Sequence, residues 1–237
     1  MQFKPGQPPF RADHIGSLLR PSALRQAFRD HGAKKISDAD FEQILDASIR
    51  EVIAMQEDVG LKVVNDGEFR RSSYWSRFVE RVGGFVIKPA EFKFRNDEGH
   101  ELEFTGTYAT GKLKRVQPLA LDEFLFMKGV TTATPKITLP APSTMHFYRC
   151  GNFADKGIYD NAEAFFADLG KVFAQEIAEL AKAGCKYVQL DEVAIAMLCD
   201  PSIRKTVEGA GLKPDALIDL YIEASRSEEH TSELQSH

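Results

Sequence analysis

The sequence predicts an α/β fold: the N-terminal half of a (β/α)8 TIM barrel, with about four parallel strands and a β-hairpin insertion near residues 88–117. Three observations predict it. First, two segments repeat one plan of helix, glycine, short apolar strand and terminal carboxylate. Gly60-Leu-Lys-Val-Val-Asn-Asp-Gly-Glu68 aligns with Gly184-Cys-Lys-Tyr-Val-Gln-Leu-Asp-Glu192, with Gly, Lys, Val and the closing Glu at one constant offset. Repeated helix–strand units argue for parallel strands. Second, the four expected strands, around 13–17, 61–66, 136–140 and 186–191, each end in residues able to do chemistry. That clustering at strand C-termini is the habit of (β/α)8 barrels. Third, no Gly-x-Gly-x-x-Gly follows any strand, so the doubly wound alternative lacks its phosphate loop.

The elements follow in order. Residues 1–12 are Pro-rich and read as extended; a short apolar patch then ends in the turn His14-Ile-Gly-Ser17. Arg20-Pro21 opens a helical stretch through about His31. Ser37 is the expected N-cap of the next helix, and Asp38 and Asp40 suit its positive start. Phe41, Ile44, Leu45, Ile49, Val52, Ile53 and Val59 recur at helical spacing, Gly60 stops the helix, and Leu61 to Asn65 reads as a buried strand. Phe92 and Phe94 alternate with polar residues, Asn96-Asp-Glu-Gly99 turns, and Leu102 and Phe104 alternate back, a hairpin pattern. Lys136 to Leu139 reads as a strand closed by Pro140-Ala-Pro-Ser143. Asp160 or Asn161 caps a helix with Phe165, Phe166, Leu169, Val172, Phe173, Ile177 and Leu180 on one face, and Gly184 ends it before the strand from Cys185 to Leu190.

Composition narrows the class of partner. The 237 residues are 43% hydrophobic and 27% charged, as in a globular protein. A net charge of −5 and a pI near 5.7 give no electrostatic reason to bind nucleic acid or an anionic membrane. No nucleic-acid or membrane partner is therefore expected. Cys150, Cys185 and Cys199 show no Cys-x-x-Cys spacing, no stretch approaches the ~20 apolar residues of a membrane span, and a reducing cytoplasm is expected. The last residues, 226–237, read Arg-Ser-Glu-Glu-His-Thr-Ser-Glu-Leu-Gln-Ser-His and resemble one reading frame of a common sequencing adapter. They lack an apolar period and are set aside as a non-native tail. On that reading residues 1–225 are the first part of a longer catalytic domain, with strand edges and apolar faces left open.

Several side chains could carry chemistry. Asp66, Glu68, Asp191 and Glu192 are carboxylates at two strand ends, able to hold a cation or amine or to do acid–base work. Asp66 and Glu192 read equally as helix caps, whereas the repeat aims Glu68 and Asp191 at one barrel mouth. Ser17, in a Gly-Ser turn, either grips a carboxylate or caps a helix; His14 is either a base or ligand or a satisfied buried histidine. His146 and Cys150 are four apart, but Pro142 and Gly151 argue against the helix that would make them a metal pair. Cys185 and Cys199 read as ordinary small buried residues. Tyr74, Trp75 and Phe78 after Arg70-Arg71-Ser72 form either an aromatic, basic wall or the buried face of a helix.

Four segments together resemble a known family: Arg11-Ala-Asp-His-Ile-Gly-Ser17, Asn65-Asp-Gly-Glu-Phe-Arg70, Lys136-Ile-Thr-Leu-Pro-Ala-Pro-Ser143 and Tyr187-Val-Gln-Leu-Asp-Glu192. They are similar to the C-terminal catalytic domain of cobalamin-independent methionine synthase, in its short single-domain relatives, across essentially all of residues 10–225. The resemblance implies a (β/α)8 barrel in which a zinc-bound homocysteine thiolate takes the methyl group of methyltetrahydrofolate, forming methionine. It implies that Ser17 contacts the homocysteine carboxylate and that Glu68 and Asp191 contact its amino group. A thiol of pKa ~8.5 needs a metal to become a good nucleophile at neutral pH. The family's zinc ligands, a His-x-Cys pair and later Glu and Cys, fall in the second barrel half; His146-Phe-Tyr-Arg-Cys150 has the wrong spacing and follows the third strand. Substrate contacts without metal ligands are expected here. Two other readings stand beside it: zinc-dependent alkyl transfer to another thiol such as coenzyme M, which lacks an amino group, and a non-catalytic ligand-binding barrel.

Overall fold

The computed structural model describes residues 14–91, 94, 95, 98 and 100–233. The chain runs α1 (Ser22–Gly32), α2 (Asp38–Asp58), β1 (Val63–Val64), α3 (Ser76–Arg81), β2 (Val82–Pro89), β3 (Phe94–Arg95), β4 (Glu101–Leu102), β5 (Thr105–Arg115) and α4 (Leu121–Val130). It continues with β6 (Thr134–Pro135), β7 (Ile137–Pro140), α5 (Thr144–Phe147), α6 (Ala162–Ala183), β8 (Val188–Asp191), α7 (Ala194–Met197), α8 (Pro201–Gly209) and α9 (Pro214–Glu233).

The parallel pairs are β1 with β6 (Val63↔Thr134, Val64↔Pro135) and β7 with β8 (Ile137↔Val188 through Pro140↔Asp191). Lys136 joins them: its N–H donates to Val64 O at 2.8 Å, and the Ile137 N–H donates to Tyr187 O at 3.0 Å. Residues 134–140 therefore lie between β1 and β8, in the sequential parallel order of a barrel wall, but among the described residues the wall does not close into a barrel.

The expected strand at 13–17 is not formed at residues 14–17; residue 13 lies outside the described residues. Side chains take the place of a ladder there. Lys136 Nζ donates to His14 O, Gln189 Nε2 to Ile15 O at 2.7 Å and Asn65 Nδ2 to Gly16 O at 2.9 Å. The Leu18 N–H then reaches Gly67 O at 3.1 Å. The segment is held against the parallel strands, with carbonyls satisfied by amide and ammonium groups instead of by backbone N–H.

Both long helices form where the apolar period and caps predict. Ser37 and Asp40 make a reciprocal capping box on α2, and Gly60 follows the helix at φ 89°. Asn161 accepts from the Ala164 N–H at 2.8 Å to start α6, and Gly184, at φ 97°, ends it. The α6 face of Phe165, Phe166, Leu169, Val172, Phe173 and Leu180 is buried in the core.

The hairpin insertion begins earlier than expected. Its main strands are β2 and β5, antiparallel from Val82↔Arg115 to Pro89↔Thr105, with β3 and β4 as a smaller pair beyond them. The turn at 96–99 falls largely outside the described residues. The register slips between Gly83 and Phe85, where Gly84 sits at φ 100° and a Cβ would lie 2.8 Å from the Gly111 and Lys112 carbonyls. A glycine bulge hides a strand from an alternation test, because it flips the faces halfway along. The backbone of α9 continues to Glu233, eight residues into the segment read as a tail; extending a formed helix by about two turns is far easier than nucleating one. Among the described residues no helix is long and apolar enough to cross a membrane.

One buried carboxylate ties the insertion to the helical layer. Glu176, fully buried on α6, accepts from the Leu119 and Ala120 N–H groups at 2.7 Å each and from Arg115 Nε at 2.9 Å. These amides lie at the entry to α4, whose N-cap residue, Ala120, makes no side-chain cap. Arg115 also forks onto Glu179, which is 45% exposed. Glu176→Ala is expected to lower stability by about 3–5 kcal/mol, since it leaves the buried Leu119 and Ala120 N–H groups and Arg115 Nε without their acceptor, while Arg115 keeps Glu179. Glu179→Ala should cost under about 1 kcal/mol. Equal losses for the two variants in urea denaturation would contradict this assignment.

Candidate functional site

The site is built from the loop after β1. Asn65-Asp-Gly-Glu68 folds on itself: Asn65 Oδ1 accepts from the Gly67 N–H and Asp66 Oδ1 from the Glu68 N–H, each at 2.9 Å. Arg20 Nη2 donates to Glu68 O at 2.9 Å and to Arg71 O. Together these bonds hold Glu68 at φ 57°, a left-handed backbone that costs a non-glycine residue ~1–2 kcal/mol.

That backbone turns the Glu68 side chain inward, where it is buried. Thr138 Oγ1 on β7 donates to Glu68 Oε1 at 2.7 Å, and Arg71 Nη1 lies 3.6 Å from the same oxygen. Gly16 packs directly on it: a Cβ there would fall 2.6 Å from Glu68 Oε1 and 3.0 Å from the Thr138 methyl. The glycine of His14-Ile-Gly-Ser17 is thus required by close approach. Ser17 beside it is exposed, and His14 is half-buried with Nδ1 3.2 Å from Asn65 Nδ2. Because the amide nitrogen donates, that His14 nitrogen is the acceptor.

Asp191 closes β8 opposite Pro140. Its carboxylate is half-buried and accepts from Gln189 Nε2 at 2.6 Å. Burial raises its pKa, the Gln189 bond lowers it, and the negative charge of Glu68 raises it further. The two carboxylates therefore feel each other at the C-terminal side of the parallel strands. Glu192 points elsewhere: it accepts from Ser143 Oγ at 2.5 Å and from the Ile195 N–H at 2.8 Å, the capping role.

Beneath the site lies a buried charge cluster. Arg71 Nη2 donates to Glu123 Oε2 at 2.6 Å and to Thr138 O at 2.8 Å, while Nε reaches Glu123 Oε1 at 3.2 Å. Arg77 adds a second guanidinium 3.3 Å from Glu123. Asp66 is buried beside them, its Oδ2 without a hydrogen-bond partner among the described residues. Burial, and then the nearby charge of Glu123, push its pKa up to about 7. Thr138 and Glu123 went unseen in the sequence. Glu123 stands in the first turn of α4, where an acid reads as an ordinary helix-start residue, and its partner lies 52 positions away.

The other candidates are placed plainly. Phe78 is buried against Phe173, with ring centroids 4.9 Å apart, and Trp75 packs on the core. Arg70 pairs with Glu42 at 2.9 Å and with Asp46. These residues form a helix face and protein ion pairs, not a ligand wall. Of the remaining cysteines, Cys185 is half-buried but Cys199 is exposed, so it is not the buried residue expected. His146 is buried among Phe153, Phe165, Phe166 and Tyr221, its Nδ1 3.0 Å from Tyr221 Oη; burial lowers its pKa to about 3. Cys150 is buried with Sγ donating to Phe147 O at 2.8 Å, and burial raises its pKa to about 12. A metal ligand thiol must ionise, which this one resists. Among the described residues no group of three or more His, Cys, Asp or Glu could hold a metal ion.

Comparison with known proteins agrees with this geometry. Residues 10–205 match the family model described as cobalamin-independent synthase, catalytic domain. The uncharacterized protein YxjH of Bacillus subtilis is 35% identical over 219 residues, covering 90% of this chain and 56% of that protein. A methionine synthase of Sulfolobus acidocaldarius is 32% identical over 233 residues, covering 93% of this chain and 64% of that one. The chain thus spans little more than half the length of such relatives. A crystal structure of a putative vitamin-B12-independent methionine synthase from Listeria monocytogenes superposes with a TM-score of 0.73 at 26% identity, covering 93% of this chain and 61% of that one.

The raised Asp66 pKa sets a pH dependence. Between its ordinary 3.8 and about 7 the folded state holds a proton that the unfolded chain has released. Stability from this group is therefore full below pH ~4 and is lost as pH rises through 7. Asp66→Asn keeps the acceptor for the Glu68 N–H and should flatten the fall in denaturation free energy between pH 5 and 8. An unchanged slope in the variant would refute the assignment.

Proposed function

The chain belongs to the cobalamin-independent methionine synthase family, and from that premise we propose that the whole protein transfers a methyl group to the thiol of homocysteine, forming methionine. The observation that carries this reading is the placing of the Glu68 carboxylate near Asp191, where its negative charge adds to burial in raising the Asp191 pKa. Such a pair favours a cation between them, and the nearest guanidinium, Arg71, is already forked onto Glu123. An amino acid's ammonium group fits the vacancy in charge. In this proposal Glu68 and Asp191 bind the amino group, and Ser17 and the adjoining backbone meet the carboxylate. His14 lies at the edge of the same substrate-binding site, held by Asn65. These residues bind and orient; none is assigned a proton transfer.

The family also implies zinc and a methyl donor, 5-methyltetrahydrofolate or a similar compound. The described residues do not fit a metal: His146 is committed to Tyr221 and Cys150 to a carbonyl. No step is therefore routed through one here, and the metal chemistry belongs to the proposal for the whole protein. Alkyl transfer to coenzyme M is the second reading, and a ligand-binding barrel without catalysis the third.

The acceptor can be tested by thermal melting of the 237-residue chain with homocysteine and, separately, with coenzyme M. Homocysteine is expected to raise the melting temperature, and Asp191→Asn to weaken it about tenfold, the loss of one charge-assisted contact. Asp191 is half-buried, so this variant keeps the fold where a change at Glu68 would not. Equal protection by coenzyme M, indifferent to Asp191→Asn, would overturn the amino-group assignment.

A further inference from the structure

A cavity opens beside the segment that follows the Glu68 loop, at Arg71 and Ser72. It has a volume of about 330 Å³ and is lined by Arg20, Arg25, Phe28, Arg29, Arg71 and Ser72. Four of six lining residues carry a guanidinium group, in a chain whose net charge is −5. No carboxylate lines it. The acid on the nearest turn of α1, Asp30, is turned to Gln26 Nε2 at 3.0 Å and to Lys35 at 3.8 Å.

The arginines differ in how they are held. Arg20 is fixed: Nη2 is clamped to the carbonyls of Glu68 and Arg71, and the guanidinium carbon lies 5.7 Å from the Phe28 ring centroid. Arg71 is fixed by Glu123 and Thr138. Arg29 uses Nε and Nη2 on Gln26 Oε1. Arg25, one helical turn before Arg29, is exposed, and its side chain makes no ion pair or hydrogen bond among the described residues. Residues four apart share a helix face, so Arg25 and Arg29 stand side by side on one wall. Fixed guanidinium groups beside adjustable ones suit an oxyanion, since the fork of an arginine can take two oxygens of one carboxylate or phosphate.

We propose that this cavity binds a small dianion, a dicarboxylate or a phosphate, separately from the amino-acid site. The Ser72 hydroxyl and Phe28 ring complete it, one as a hydrogen-bonding group and the other as an apolar wall. Because Arg20 grips the backbone of Glu68, the two sites share one loop. The inference does not depend on the methyl-transfer reading, because its test uses neither thiol nor methyl donor.

The experiment is calorimetric titration of the 237-residue chain with inorganic phosphate and, separately, with succinate. Saturable binding of at least one anion is expected, weakening with added sodium chloride. Arg25→Ala and Arg29→Ala should each weaken it about tenfold, the loss of one charge-assisted contact. Both positions are exposed on a helix, where alanine is the better helix former, so the fold is kept. Preference for phosphate or for succinate would identify the ligand class. Failure of both anions to saturate, or affinities unchanged in both variants, would overturn the proposal.

Discussion

Much of the site rests on one buried fork, Arg71 against Glu123. Arg71 and Glu123 are both withdrawn from water, and Glu68 and Asp66 are buried within reach of them. Such a pair is not a large source of stability, because desolvation consumes most of the Coulomb gain. Its consequence is positional. One guanidinium joins the loop after β1, the middle strand β7 and the start of α4. Three carboxylates against one fully buried cation leave an excess of negative charge, and the group with the fewest partners, Asp66, takes up the proton.

The same fork sets the Glu68 carboxylate. Thr138 accepts from Arg71 at 3.1 Å and donates to Glu68 at 2.7 Å, so the hydroxyl has one orientation and fixes one Glu68 oxygen. Gly16 covers that oxygen from above. Segment 14–18 lacks a strand, yet Lys136, Gln189 and Asn65 hold its carbonyls as a ladder would. Irregular backbone packed against the parallel strands is tolerable only with such side-chain partners, since buried carbonyls need donors.

Legibility followed the range of the interactions. The helices α2 and α6 were readable because caps and apolar period lie within one or two turns: Ser37 with Asp40, Asn161 with Ala164. The carboxylates after β1 and β8 were readable from a local repeat, but that repeat aligns Glu68 with Glu192, which turns to Ser143 and the Ile195 N–H, and not with Asp191. What was not readable depends on distant partners. Nothing around Glu123 names Arg71, and nothing around Lys136 names the His14 carbonyl, 122 positions away. The segment at 13–17 looked like a strand because burial of Gly16 and strand pairing leave the same short apolar pattern. The early start of the hairpin was hidden by the Gly83–Gly84 bulge.

The geometry also restrains both carboxylates, Glu68 and Asp191. Glu68 cannot swing away: its backbone is locked at both ends of the residue, by Asp66 at the N–H and Arg20 at the carbonyl. Asp191 is restrained by Gln189, whose amide also spans to Ile15 O, so its position is tied to the same segment that covers Glu68. Every restraint on the pair thus comes from residues 15 to 189. Preorganisation of this kind shifts the cost of bringing like charges together from the binding step to the folding step. The left-handed Glu68 and the proton on Asp66 are where the folded chain bears that cost, and both lie in the loop that the substrate and the arginine-lined cavity would share.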